Sequence, residues 1–344
     1  MTGSSIVHFP GGKSSVPSAA ASIRHAPEEL ALVADIGGTN ARFALAPLGD
    51  AGQAINEQRR PVDAFDSFAR AAEAYLKENA PGKDVRYGMI AVASPAHGDR
   101  IDITNSAWHF SLEETRRALG FDALYAINDF AANGWAIADL DDRQFTPLGG
   151  PAHKTGGKGS FAVLGPGTGL GVGAILHAAS ASAVISSEGG HVDFAPVSEE
   201  EIEIFAWLRK RFHRISYERL LCGPGLLNIY HAIGGSEDVT TPEQVTGFKE
   251  DPLAARAIRI FCEVLGSFAG NAALTFGAWD GVYLTGGLLK PMKEELLSGR
   301  FRARFEDKGR FGKELAKVPT LLVDEPALGL IGAAAALRHR VGFA

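Results

Sequence analysis

Four carboxylates, one imidazole and three glycine turns in this chain are placed where they could do chemistry. Asp35 stands at the mouth of Gly37-Gly38-Thr39, between the apolar runs Leu30-Ala31-Leu32-Val33 and Phe43-Ala44-Leu45-Ala46. Two adjacent glycines allow φ > 0 and leave no Cβ between backbone and ligand. Successive N–H groups in such a turn can cradle an anion. A carboxylate beside them could hold a divalent cation next to a phosphate. A plain β-hairpin with a Gly-Gly turn is the alternative. Asn128-Asp129 closes an apolar segment at the end of a strand, the end at which open α/β sheets bind ligands. Asp129 could accept a proton from a substrate hydroxyl, or could simply cap the helix that follows. Glu188-Gly189-Gly190-His191 could grip vicinal hydroxyls; a metal pair or an incidental polar turn is the other reading, although no partner cluster for a metal is visible. Glu218 reads by itself as a solvated helix residue. Asn105 and Trp108 could supply an amide and an apolar platform, or in the case of Trp108 only core.

The second glycine turn is Gly165-Pro166-Gly167-Thr168-Gly169-Leu170-Gly171-Val172-Gly173, and the third is Thr285-Gly286-Gly287. Each follows an apolar strand. No G-x-x-x-x-G-K-[ST] is present, and the second turn runs into a return strand rather than a helix, so neither the P-loop nor the dinucleotide fingerprint fits. The pattern suits phosphates held between two hairpins with a third turn beneath the nucleoside.

Alternating strands and helices must position these groups, which argues an α/β fold with a partly parallel sheet. Helical spacing predicts a helix over Val62 to Asn79, ended by Pro81-Gly82. A buried strand follows over Val85 to Ala93, closed by Ser94-Pro95. Ser111 with Glu114 three residues on is a capping-box signal for a helix that stops at Gly120. Leu124 to Ile127 is a short strand, and a helix runs from Phe130 to Ala138. Pro147 to Gly159 reads as a loop separating two halves. The second half opens as the first does, with strand, glycine turn and strand over Phe161 to Leu176, a candidate duplication of architecture. From Glu199 the chain is mainly helical up to a strand at Val282; a last strand, Thr320 to Val323, precedes a small-residue helix over Leu328 to Arg338.

The bulk numbers bound the class. The 344 residues suffice for two domains, and 46% hydrophobic with 22% charged residues is ordinary for a globular chain. A net charge of −6 without a dense basic block points away from a nucleic-acid partner. Arg209-Lys210-Arg211 and the cluster Arg300 to Arg304 read as solvated helix faces. Two cysteines, Cys222 and Cys262, make no disulfide framework and fit a reducing, cytoplasmic setting. No continuous apolar run has the length of a membrane helix, about 20 residues. Residues 1–28 are rich in Gly, Ser, Ala and Pro and are expected to form a disordered extension, an interaction arm being the alternative.

Together the segments resemble the bacterial glucokinase family of the actin-like ATPase superfamily. The resemblance rests on Ala34 to Arg42, Thr104 to Trp108, Ile127-Asn128-Asp129-Phe130, Leu164 to Gly171, Ser187 to His191, Ser216 to Leu226 and Tyr283 to Gly287, in collinear order from Leu30 to the C-terminus. It implies a two-lobed actin-like (ribonuclease H-like) fold: a small α/β domain over residues 29–139 plus 328–344, and a larger α+β domain over 140–327, with a cleft between. The activity implied is ATP-dependent phosphorylation of D-glucose to glucose 6-phosphate at the entry to glycolysis. Asp129 is similar to the general base for the sugar 6-hydroxyl. Asn128, Glu188, His191 and Glu218 look like sugar ligands, with Asn105 at the rim. Ala34, Asp35, Ile36, Gly37, Gly38 and Thr39 with Gly167-Thr168-Gly169 look like the phosphate loops, and Gly286 and Gly287 like the adenosine seat. Asp35 is similar to the residue that holds Mg²⁺. A homodimer is implied as well. Lobe closure around the sugar is expected, with the Pro147 to Gly159 loop and the Gly165 turn as hinge candidates.

Three rival readings carry their own signatures. Related hexose kinases of the repressor/open-reading-frame/kinase group carry closely spaced cysteines after a His, whereas Cys222 and Cys262 stand far apart. A glucose-sensing regulator would bring DNA-binding helices, and none is visible. A chaperone-like or filament ATPase would have no use for Glu188, His191 and Glu218. Polyphosphate or ADP remains open as an alternative phosphoryl donor to ATP.

Overall fold

The computed structural model describes residues 29–49, 54–94, 96, 98–103, 106–152, 159–177, 182–248 and 250–342. The expected N-terminal extension and Asn105 lie outside them.

The first half begins with β1 (Leu30–Ile36), β2 (Asn40–Pro47) and β3 (Ile55–Pro61). Helix α1 (Phe68–Asn79) leads to β4 (Tyr87–Val92), and a small β5 (Arg100–Asp102)/β6 (His109–Ser111) hairpin leads to α2 (Leu112–Leu119). Then come β7 (Ala123–Asn128) and α3 (Asp129–Ile137). In the second half β8 (Phe145–Gly149), β9 (Gly159–Pro166), β10 (Leu170–His177) and β11 (Ser182–Ser187) precede the helices α4 (Glu199–Arg209), α5 (Gly223–Ala232), α6 (Pro242–Gly247) and α7 (Pro252–Phe276). The chain closes with β12 (Gly281–Leu284), α8 (Lys293–Leu296), α9 (Arg300–Glu306), α10 (Gly312–Leu315), β13 (Thr320–Val323) and α11 (Leu328–Val341).

Besides the two-stranded β5-β6, two main sheets result among the described residues, ordered β3-β2-β1-β4-β7 and β11-β10-β9-β12-β13-β8. In each, three consecutive strands pair antiparallel and two later strands join parallel. The duplication expected from the glycine turns is therefore present in the topology. Strand residues alternate between faces. Ala34, Ile36, Phe43 and Leu45 pack with Phe68 and Tyr75 of α1, whereas Ala31, Val33, Ala44 and Ala46 pack with Ala333 and Leu337 of α11. Phe161 and Val163 meet Ala136 and Ile137 of α3; Ala162 and Leu164 face the core that holds α7. Helices α3 and α11 thus form a layer between the sheets. Their crossing is close because Gly332 has no side chain: a Cβ there would lie 1.7 Å from the Ala132 carbonyl oxygen.

Several local expectations change. The helix expected from Val62 starts at Phe68, because Ser67 in extended conformation caps it through Arg70 N–H. The expected separating loop from Pro147 is partly strand: Pro147 lies in β8, an edge strand, where its missing N–H costs no ladder bond. Residues 153–158 of that loop lie outside the described residues. Gly165 itself pairs with Gly171 inside the β9–β10 ladder, and the turn proper is Gly167 to Gly169. Trp108 is core, 2% exposed, with its indole N–H on the Phe65 carbonyl at 2.9 Å. The Arg300 to Arg304 cluster is a solvated face only at Arg300: Arg302 is buried on the carbonyls of Val318, Leu315 and Ala316, and Arg304 pairs with buried Glu201 at 2.7 Å. Arg209, Lys210 and Arg211 are exposed as expected. Ser111 caps α2 and Gly120 ends it in the left-handed region at φ 71°, both as read from the sequence. Helix α7 is long and apolar enough to cross a bilayer by composition alone, but 72% of its most apolar window is buried inside the protein, which makes it a core helix.

Candidate active site

Strands β4 and β7 end side by side, with Val92 opposite Asn128. The Asn128 side-chain oxygen caps α3, accepting from Phe130 N–H at 2.9 Å and Ala131 N–H at 3.2 Å. The cap is therefore Asn128, not Asp129. Asp129 is left at the first helical position with its carboxylate toward a cavity of about 640 Å³. Burial, helped by the charges of Asp35 and Glu188, pushes its pKa up to about 6, against a backbone hydrogen bond from Phe130 that favours the ion. A carboxylate poised there is a stronger base than an ordinary aspartate and still ionised near neutrality.

The same cavity is lined by Asn128, Glu188, His191, Glu218, Gly167, Thr168, Gly169 and Gly286, so it gathers most of the sequence candidates from both sheets. His191 sits between two carboxylates, 4.0 Å from Glu188 and 3.7 Å from Glu218. These separations exceed hydrogen-bond length, so the three groups are not consumed by one another. Glu218 is not a solvated helix residue. It lies in a single 3₁₀ turn, Tyr217–Arg219, anchored by buried Tyr217. One of its oxygens accepts from Leu170 N–H at 3.0 Å, which ties a sugar candidate to the second glycine turn. Gly169 permits this approach, since a Cβ there would be 2.7 Å from that oxygen.

The glycine turns are braced from outside. Gly167 N–H bonds Gly169 O, and Gly167 O accepts from Gly223 N–H at the start of α5, both at 2.8 Å. Gly286, at φ 113°, lets the third turn abut the second: a Cβ would lie 2.4 Å from Pro166 O. Gly287 lines neither this cavity nor the next one. The first turn forms a separate concavity of about 220 Å³ with Asp35, Gly37, Thr39, Asn40, Arg42 and Arg59. Gly37 stays out of the left-handed region; its N–H bonds Asn40 O at 2.9 Å to close the turn. The side chains of Ala34 and Ile36 are core, so only their backbone could face a ligand. Asp35 has its pKa raised by burial, with Arg42 opposing. Its carboxyl lies against Gly329 of α11, where a Cβ would be 2.8 Å away.

No cluster of three or more metal-ligating side chains occurs among the described residues. That is compatible with Mg²⁺, which takes one or two carboxylates and completes its shell with water and phosphate oxygens. Asp35, a desolvated oxygen donor beside a glycine turn, suits such a cation.

Sequence reasoning did not single out Ser94, Asn133 or Ser187, which also line the main cavity, as does Thr285 of the third glycine turn. Asn133 had a readable signal, one helical turn after Asp129. Ser94 had only its place at a strand end.

A mixed α/β fold with a repeated strand order and a polar cavity between the sheets defines the class, that of the sugar-kinase structures onto which the chain superposes. A glucokinase structure from an Antarctic psychrotroph matches with a TM-score of 0.82 at 36% identity, covering 90% of this chain and 98% of that one. The structure of Balamuthia mandrillaris glucokinase in complex with glucose shares the fold, with a TM-score of 0.76 at 23% identity over 90% of this chain and 94% of that one. The family model described as Glucokinase matches residues 32–340. The glucokinase of Stenotrophomonas maltophilia (strain K279a) is 45% identical over 315 residues, 88% of this chain and 93% of its own length. The chain belongs to the glucokinase family.

Proposed function

We propose that the chain transfers the γ-phosphoryl group of ATP to the 6-hydroxyl of D-glucose in the cavity headed by Asp129. The observation that carries this reading is the convergence of a raised-pKa carboxylate, a set of polar side chains not paired with one another and braced glycine turns on one cavity, in a glucokinase-family chain. Glucose is neutral and polyhydroxylated, so it must be read by several hydrogen bonds. Asn128, Glu188, His191 and Glu218 supply donors and acceptors for this, and Asn105 is the candidate at the rim. Asp129 orients the 6-hydroxyl and takes its proton as oxygen bonds to the γ-phosphorus. The bond to the β–γ bridging oxygen breaks and ADP leaves. Phosphoryl transfer asks for alignment and charge neutralisation more than covalent chemistry. Backbone N–H groups of Gly37 to Thr39 and Gly167 to Gly169 are suited to the phosphates, and Gly286 with Gly287 to the adenosine. Asp35 would hold Mg²⁺, which when bound supplies charge neutralisation at the phosphates.

The architecture fits an actin-like division into a small α/β domain, residues 29–139 with α11, and a larger domain over 140–327; closure of the two on the sugar would exclude water. A homodimer in the cytoplasm is proposed on family membership. The deciding experiment is a coupled assay with ATP and Mg²⁺ across glucose, mannose, fructose and N-acetylglucosamine, run on the parent and on Asp129→Ala. Turnover should be highest on glucose and fall by about 10²–10⁴-fold in the variant. An inert parent, or a variant within about tenfold of it, overturns the assignment.

A further inference from the structure

Ser94 is 6% exposed, lines the main cavity, and its hydroxyl has no hydrogen-bond partner among the described residues. Three other buried side-chain atoms share that condition, on Glu201, Arg304 and Arg338. Each of those belongs to an ion pair, Glu201 with Arg304 and Arg338 with Asp139. Ser94 has no such explanation. A buried, unpaired hydroxyl costs free energy and calls for a reason, such as a ligand that completes it.

Topology places it where a ligand must pass. Strand β4 lies between β1 and β7, with Val92 opposite both Ile36 and Asn128. Ala93 N–H bonds Ile36 O at 3.3 Å, which pins the exit of β4 to the start of the first glycine turn. Ser94 comes two residues past the end of β4, the middle strand of three, with the Gly37 turn after one neighbour and Asp129 after the other. Adjacent strands are about 4.8 Å apart, so the hydroxyl stands within reach of whatever Asp129 and Asn128 hold.

We infer that Ser94 is a sugar-binding residue, its hydroxyl completing a hydrogen bond to one hydroxyl of the bound hexose. The inference rests on the cavity being the sugar site. A serine hydroxyl both donates and accepts, so it can pair with a sugar hydroxyl in either sense. The hydrogen bond adds discrimination against a sugar lacking that hydroxyl, because the serine is then left unpaired again.

The test is Ser94→Ala in the full chain, assayed with glucose and with each monodeoxy glucose, alongside thermal unfolding with and without glucose. The expected result is a KM for glucose raised roughly three- to tenfold with kcat and the KM for ATP kept. For one deoxy sugar the variant should lose nothing further relative to the parent. Without sugar the variant should melt at or above the parent temperature, since it discards an unpaired buried group, and its upward shift with glucose should shrink. Ser94→Thr, which keeps the hydroxyl, should retain the parent pattern across the deoxy series. A raised KM for ATP with that for glucose unchanged places the hydroxyl on the phosphoryl group and overturns the inference. A variant that melts well below the parent or fails to fold shows the hydroxyl was partnered inside the protein, and also overturns it. A parent active on glucose with identical sugar profiles in parent and variant sinks the inference alone; a parent inert on glucose sinks the reading of the site and the inference with it.

Discussion

Gly171 carries the ring of Phe130, and through it the position of Asp129. A Cβ at residue 171 would lie 1.8 Å from Phe130 Cε2, 2.1 Å from Cδ2 and 2.2 Å from Cζ. Ordinary carbon contacts are about 3.5 Å, so Gly171→Ala would force the ring back by about 1.7 Å. The ring covers Gly165 as well, the partner of Gly171 in the ladder, where a Cβ would lie 2.5 Å from Cζ, so both glycines are needed to seat it. Overpacking of this kind costs about 1–3 kcal/mol, seen as a melting temperature lower by a few degrees. Phe130 follows Asp129 directly, and its N–H is shared by the Asn128 and Asp129 side-chain oxygens, so a shift of residue 130 is passed to the Asp129 carboxylate. A displacement of the carboxylate by about 1 Å would lower kcat by about 10²-fold. The assay is steady-state phosphorylation of glucose together with thermal unfolding. Phe130→Leu in the same chain supplies the relief: the double variant should recover part of both losses, with an interaction of about 0.5–3 kcal/mol. An alanine variant with parental kcat and melting temperature, or a double variant no better than the single, refutes the argument that this glycine exists to seat the ring.

Gly167→Ala makes the opposite case: a Cβ there meets nothing within 4 Å. The variant should fold as the parent does while its KM for ATP rises, since the backbone approach to the phosphates is obstructed; kinetics against ATP with a melting curve check both parts. Glu188→Gln should raise the KM for glucose far more than that for ATP, and equal effects would remove Glu188 from the sugar pocket. The Asp129 carboxyl is raised to about 6 from 3.8, so its base form is lost as pH falls through 6. The acid limb of kcat/KM for glucose should therefore lie near pH 6 rather than near 4. The sign for stability is the reverse: burial disfavours the ion, so this group penalises the fold above its folded pKa, and the penalty is relieved as pH falls. Asp129→Asn should accordingly melt higher than the parent at pH 7 and above, by a margin that closes on acidification; thermal scans over that range decide it.

Local signals were legible where the physics is local. Ser111 and Gly120 bound their helix because a side-chain cap and a left-handed residue act within one turn. The glycine spacing announced the repeated strand-turn-strand units, since close backbone approach excludes any Cβ. Taken singly the carboxylates and the imidazole left alternatives open; the collinear order of all the motifs made the family resemblance, and the chemistry came with it. Which of Asn128 and Asp129 caps the helix could not be read, because that depends on which side chain turns back onto it. Glu218 read as a solvated residue because its partner, Leu170 N–H, lies far away in sequence. Arg302 read the same way, although carbonyls from another loop surround it.

The chain's own sequence thus determined most of the elements, the glycine turns and the family. Tertiary structure decided their states: that Asp129 is desolvated enough to titrate near 6, that Trp108 belongs to the core, that Pro147 ends up on a sheet edge, and that the Ser94 hydroxyl is buried without a partner among the described residues. Burial, charge neighbours and hydrogen-bond satisfaction are properties of the folded surroundings, assembled from segments far apart in the chain, and no spacing along one strand can encode them.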